Sequence, residues 1–204
     1  MNNFIEKPAS KGSLAMRKLL YGVGINDASY IVTTKVDGKQ TMCPYYSRWV
    51  NMIKRCYSDE YQARYPTYIG CSVCDEWLLF SNFKEWMTGL DWQGKELDKD
   101  ILVQGNKIYS PDNCIFLTSA INSLLVANDA DRGKYPQGVS FNKMKGKFGA
   151  QYRVNGKTKH LGHFDNPDEA SAVYKKFKYQ LIAEVSATQP EPIRSALLAY
   201  KINL

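Results

Sequence analysis

The spacing of hydrophobic positions changes period several times along the chain, and each change marks an element. From Tyr30 to Met42 apolar and polar residues alternate loosely around Asp37-Gly38, the dipeptide that tight hairpin turns favour, so a two-stranded ribbon is expected there. Pro44 opens a helix through Tyr57, with Trp49, Val50, Ile53 and Cys56 on one face and Arg48, Lys54 and Arg55 mostly elsewhere. Aromatic residues then crowd the chain: Tyr57, Tyr61, Tyr65, Tyr68, Trp77, Phe80, Phe83 and Trp86. They are expected to be core rather than base-stacking surface, and Phe80, Phe83, Trp86 and Met87 have the spacing of a short amphipathic helix.

After Gly89 the pattern turns acidic. Asp98-Lys99-Asp100-Ile101 suggests a short strand, Gly105-Asn106 a turn, and Lys107 to Tyr109 a second strand, followed by Ser110-Pro111-Asp112-Asn113-Cys114. Thr118 can cap a helix through Ile121, Leu124 and Leu125 that carries Asn122. Residues 128–136 are poor in large apolar groups and are expected to be a linker. Beyond it Gly138 to Lys143, Lys147 to Val154 and Lys159 to Phe164 form an antiparallel meander, its last two strands joined by Asn155-Gly156. Asn166, Pro167 and Glu169 are an N-cap, a first-turn proline and a third-position acid. The helix they start should pack Ala170, Val173, Tyr174, Phe177 and Leu181 on one face of the sheet and leave the other free. A last helix is expected between Pro192 and Lys201. The fold class is α+β.

Composition sharpens this. With 204 residues, 44% of them hydrophobic, the chain supports a real core in one generous domain or two small ones. Lys and Arg number 27 against 20 Asp and Glu, a net charge of +7 that favours a polyanionic partner. That charge is segregated: from Arg132 to Phe164 there are eight basic residues and no acidic one. There is no run of about 18 apolar residues and no signal-peptide core in the polar segment Met1 to Gly12, so a cytoplasmic protein away from membranes is expected. Five cysteines without an export signal suggest thiols or a metal rather than disulfides. Cys71 and Cys74 form a C-x-x-C that a structural Zn²⁺ would use if Cys43, Cys56 or Cys114 converged on it.

The basic meander carries a resemblance. Gly138-Val139-Ser140-Phe141-Asn142-Lys143, Gly146-Lys147-Phe148-Gly149-Ala150-Gln151-Tyr152-Arg153, His160-Leu161-Gly162-His163-Phe164 and Asp168-Glu169-Ala170 with Ala172 and Tyr174 resemble the ethylene-response-factor (Apetala-two) DNA-binding domain. A ribbon of this kind reaches the major groove with side chains on its exposed face. By position the resemblance implies Gln137, Ser140, Lys145, Gln151, Arg153, Thr158 and His160 as DNA-facing, and Lys143, Lys147 and Lys159 join them as phosphate contacts. Gln137, Ser140 and Thr158 stand where the plant proteins usually have arginine, so base preference does not carry over.

The segment from Tyr46 to Leu125 is similar to HNH-type endonucleases of the homing or mobile kind found in bacteriophages, through Trp49, Met52, Arg55-Cys56-Tyr57, Val73-Cys74-Asp75-Glu76-Trp77, Phe80, Phe83, Leu97-Asp98, Tyr109 to Cys114 and Asn122. The resemblance implies a ββα-metal domain that hydrolyses duplex DNA in an infected host cell. Asp98 and Asn122 would ligate Mg²⁺ or Mn²⁺ and Asn113 would brace the hairpin. The base position is Lys99, an ammonium with an ordinary pKa of about 10.4. Asp100 or a metal-bound hydroxide can replace it, Lys99 can act electrostatically on the phosphate, or catalysis is lost and a DNA-binding or partner-binding protein remains.

The implied order is an N-terminal extension (1–43), an HNH-like domain (44–127), a linker (128–136), a DNA-binding domain (137–186) and a helical tail (187–204). Double-stranded DNA is the expected partner. A protein partner or self-association stays open beside it.

Overall fold

The computed structural model describes residues 4–36, 38–125, 134–154 and 156–200. They fall into two units, Met1–Thr118 and Ser119–Leu204. The architecture is α+β as expected. Among the described residues no helix is long and apolar enough to cross a membrane.

The first unit starts with α1 (Lys11–Ala15), whose N-cap Ser10 accepts from the Ser13 amide. The expected ribbon is β1 (Thr33–Val36) paired with β2 (Lys39–Met42), Val36 lying opposite Lys39 across a two-residue reversal. Gly38 takes the positive φ of 75° that such a reversal needs, while Asp37 lies outside the described residues. Pro44 sits in the first turn of α2 (Pro44–Tyr57), which buries Trp49, Met52, Ile53 and Cys56. That stripe has the i, i+3, i+4, i+7 spacing of a core-facing helix, with Val50 at its half-buried rim. The Trp49 indole N–H donates to the Trp77 carbonyl at 2.7 Å, tying α2 to the short 3₁₀ turn Asp75–Leu78.

Next come α3 (Asp59–Arg64), capped by the Ser58 side chain, β3 (Ser72–Val73) and α4 (Phe80–Met87). Trp49, Trp77, Phe80 and Phe83 are fully buried, and Trp77 meets Phe83 edge-on with centroids 5.1 Å apart. This half of the aromatic stretch is core, as expected. Tyr61 and Tyr65 lie outside it, Tyr65 being 45% exposed, and Tyr68 packs half-buried against its edge.

The acidic segment differs from the expected hairpin. The strand β4 (Lys95–Asp98) does not fold back across Gly105-Asn106; it pairs antiparallel with β6 (Ile115–Thr118), Leu97 opposite Phe116 and Asp98 opposite Ile115. Between them β5 (Ile108–Tyr109) runs parallel to β3. Apolar burial explains the choice, because Leu97 and Phe116, opposite one another, are buried in one core cluster, whereas the residues flanking the Gly-Asn step are mostly exposed.

The second unit opens with α5 (Ser119–Leu125), which buries Ile121, Leu124 and Leu125. Expected as the end of the preceding domain, it instead groups with the C-terminal elements, and the Tyr200 hydroxyl donates to the Leu125 carbonyl at 2.7 Å. Residues 126–133, which include 128–133 of the expected linker, lie outside the described residues. The meander forms as a three-stranded antiparallel sheet of β7 (Val139–Asn142), β8 (Lys147–Val154) and β9 (Lys157–Phe164), in that order. Gly156 has a positive φ of 76° in the last turn, and Asn155 is outside the described residues.

Asn166 caps α6 (Pro167–Ser186), accepting from the Glu169 amide at 2.8 Å. Its buried line is Ala170, Tyr174, Lys178 and Ile182, while the expected Val173, Phe177 and Leu181 are half-buried. The stripe is rotated because α6 is covered twice, by the sheet and by α7 (Ile193–Ala199), which buries Ile193 and Leu197.

One glycine fixes the seam between sheet and helix. Gly138 has φ 77°, and a Cβ there would run into the Tyr174 ring. Gly138→Ala is therefore expected to lower the stability of this unit by about 2 kcal/mol or more, combining left-handed strain with overpacking. Gly146→Ala, at φ 63° but facing open space, should cost roughly 1 kcal/mol. Urea unfolding of the two variants checks the difference.

Candidate functional site

Opposite residues of an antiparallel ladder share a face, and faces alternate along each strand. The register places Ser140 beside Gly149 and His163, Gln151 beside His160, and Arg153 beside Thr158. Ser140, Arg153, Thr158, His160 and His163 are exposed. Gly149 presents no side chain, so the middle of this face is a shallow floor. A bulge between Ala150 and Gln151 leaves Leu161 as an extra residue in β9. His160 and His163 are three residues apart and would otherwise point to opposite faces; the extra residue returns them to one. His163 was not among the expected contacts, because the alternation that assigns faces gives no sign of a bulge.

Asn142 shapes the β7–β8 turn by accepting from the Met144 and Lys145 amides, both at 3.1 Å. That Asx turn holds Lys143 and Lys145 out in solvent at the edge of the face. Lys147 also lies on it, 3.1 Å from the exposed Asp165 carboxylate, a surface pair worth little in water. Two expected contacts turn out to lie elsewhere. Lys159 is opposite Tyr152 on the helix side, with Nζ 4.6 Å from the Phe177 ring centroid, because its aliphatic stem covers that aromatic edge. Gln137 is half-buried and lines a cavity with Tyr152, Tyr174 and Lys178 of the helix side, at whose edge Arg153 also stands.

In the first unit Asp98 ends β4 with its Oδ1 accepting from the Asp100 amide at 2.9 Å and the Ile101 amide at 2.8 Å. Burial raises its carboxyl pKa above the ordinary range, and those two amides only partly counter this. Lys99 is turned inward. Its side chain is 6% exposed, and Nζ donates to Asp100 Oδ1 at 2.7 Å and to the Asn106 carbonyl at 2.9 Å. The Asn106 amide group donates in turn to the Lys99 carbonyl at 2.9 Å and the Ile108 carbonyl at 2.7 Å, closing the loop. Asp100 remains half exposed.

Asn113 is a turn residue whose amide donates to the Ser110 carbonyl at 3.2 Å. Asn122 is half-buried on α5 and belongs to the second unit, so the pair named as metal ligands is divided between the two units.

None of the five cysteines is in a disulfide. Cys71 is buried and Cys74 half-buried, and burial raises the pKa of both. Burial likewise pushes Cys56 and Cys114 up to about 12. Cys43 lies 3.5 Å from the Tyr30 hydroxyl. Among the described residues no three His, Cys, Asp or Glu gather as a metal cluster, and Cys71 with Cys74 stands as a two-thiol motif.

No family model matches the chain, and neither a curated protein nor a solved structure does.

Two outcomes follow from the loop. Because the folded-state pKa of Asp98 is raised, the folded chain holds its proton more tightly than the unfolded chain. The resulting stability is present at low pH and lost as pH rises through the folded pKa. Asp98→Asn, which keeps an oxygen for the two amides, should therefore be more stable than the native chain at neutral pH, and the gain should shrink in acid; urea midpoints against pH measure it. Lys99→Met leaves the Asn106 carbonyl and Asp100 without their partner and should cost about 1–3 kcal/mol. It should leave DNA affinity unchanged in a binding titration, which a phosphate-contacting lysine would not.

Proposed function

We propose that this protein binds double-stranded DNA through the outer face of the β7–β8–β9 sheet and carries a phosphodiesterase loop at Asp98. The observation that carries the binding half is the shared exposed face of Ser140, Gln151, Arg153, Thr158, His160 and His163, edged by Lys143, Lys145 and Lys147. With strands about 4.8 Å apart the sheet is roughly 10 Å across, comparable to a major groove about 12 Å wide. Lysines at the edge suit phosphates, while Arg153, Gln151 and the histidines on the floor suit base edges.

The hydrolytic half rests on Asp98 and Asp100. The donors are hard carboxylate oxygens, one partly buried and one half exposed, and Mg²⁺ is commonly held by one or two carboxylates with its remaining positions in water. The group fits on chemistry: Asp98 would hold it, with Oδ1 already oriented by two amides. A divalent ion there supplies charge stabilisation for the phosphate and the leaving oxygen. Asp100 is the residue suited to accept a proton from the attacking water. Lys99 fixes one of its oxygens and leaves the rest of the carboxylate toward solvent. This reading is the HNH-type endonuclease of the resemblance with the base moved one residue along.

A second reading is favoured by Lys99 itself. An ammonium buried in the loop at the expected base position suits a DNA-binding protein that no longer cleaves.

Nicking of supercoiled plasmid with Mg²⁺ or Mn²⁺, against a chelator control, separates the two. Asp98→Asn should abolish metal-dependent nicking with affinity unchanged, and absence of nicking with either ion leaves the binding reading alone. For binding, Lys143→Ala with Lys145→Ala should weaken duplex affinity and flatten the plot of log affinity against log salt by about 2 units. Arg153→Ala should cost roughly 1–3 kcal/mol and relax preference at one base pair. An unchanged salt slope would place the interface elsewhere.

A further inference from the structure

Three tyrosines at the edge of the first unit's core form a cluster that reaches the surface at Tyr65. The Tyr61 ring lies 4.7 Å from Tyr65 and 5.7 Å from Tyr68, centroid to centroid. Lys54 Nζ sits 5.2 Å from the Tyr61 ring and the Arg55 guanidinium 5.5 Å from the Tyr68 ring. Arg64 and Tyr65 are exposed at the end of α3.

The cluster is held rigid from below. The Gln62 side-chain amide donates to the carbonyls of Arg55, Cys56 and Tyr68 at 3.2, 2.7 and 3.3 Å, joining α2, α3 and the turn Pro66–Tyr68. Lys107, from the connection that follows Lys99, donates to the Thr67 carbonyl at 2.8 Å and reaches Ile69 at 3.4 Å. Tyr109 lies 5.8 Å, by its ring centroid, from Lys99 Nζ, and Lys107 ties the connection after Lys99 to the turn below Tyr68, so the cluster adjoins the acidic loop.

We propose that this cluster is a stacking platform for an unpaired nucleotide of DNA. A flat base has a π-face that a preorganised, half-exposed tyrosine can take at little entropic cost, and the cations at the rim suit the flanking phosphates. Arg64 is exposed, and Lys54 is half-buried against Tyr61. The acids nearby do not oppose this arrangement. Asp59 and Glu60 lie in the first turn of α3, roughly 7 to 9 Å along its axis from Tyr65, and Asp100 is engaged by Lys99. Two tyrosine faces backed by cations fit a charged aromatic chain better than an apolar peptide. This inference builds on the reading of the protein as one that handles DNA, but it concerns a different surface and strand state from the sheet.

The test uses the full chain with a labelled oligothymidylate and, in parallel, a fully paired duplex. Tyr65→Ala should weaken the oligothymidylate by roughly 5- to 150-fold, the equivalent of one stacked base, and leave duplex affinity unchanged. Tyr65→Phe should keep the affinity, and Tyr65→Leu should not restore it. Native affinity in Tyr65→Ala, or a leucine as good as phenylalanine, overturns the proposal, the latter by showing a simple apolar contact. Duplex binding with no single-strand binding refutes the platform and leaves the sheet standing. Single-strand binding that depends on Tyr65, without duplex binding, does the reverse.

Discussion

Buried backbone amides and carbonyls must find partners, and in the first unit the strands are too short to supply them. Its longest ladders run four residues and β3 and β5 only two, so side chains take over the work. The Arg17 guanidinium binds the carbonyls of Asn26, Ala28 and Tyr30 together, Gln62 binds three more, and Asn106 brackets Lys99 and Ile108. Around this frame Trp49, Trp77, Phe80 and Phe83 fill the interior. Without such polar clips the long connection from Lys99 to Cys114 would carry unpaired groups into the core.

That constraint shapes the chemistry of the acidic loop. Asp98 is both the carboxylate with the raised pKa and the acceptor that turns the chain at the end of β4. Lys99 stands where a base is expected and instead donates within the loop, and Asp100 is held by it. A buried ammonium with two acceptors braces the loop, and the proposed chemistry therefore gives the base role to Asp100. Because the loop is its own scaffold, Asp98 and Asp100 have little freedom to move.

In the second unit packing, not hydrogen bonding, sets the site. The helix α6 lies so close to the sheet that the chain passes Tyr174 only as glycine, at Gly138, and aromatic contacts of Tyr152 with Tyr174 and Phe177 fill the seam. Covering one face commits the other to solvent. The bulge at Leu161 then decides which residues appear there, bringing the chain's only two histidines onto the exposed side.

Local signals in the chain were enough for elements whose partners are near in sequence. Pro44 and the apolar stripe behind it determined α2, Asn166 with Pro167 and Glu169 determined the start of α6, and the two-residue reversals at Gly38 and Gly156 determined their hairpins. The basic, acid-free run of the sheet and the carboxylates at Asp98 and Asp100 were also legible there. Tertiary structure decided what depends on a distant partner. It paired β4 with β6 instead of across Gly105-Asn106, since Phe116 offers Leu97 a place in the core. It rotated the buried line of α6 toward Lys178 and Ile182 because α7 covers a second side. It turned Lys159 and Gln137 to the helix and Lys99 into the loop, since a long polar side chain follows whatever acceptor or ring the fold brings within reach.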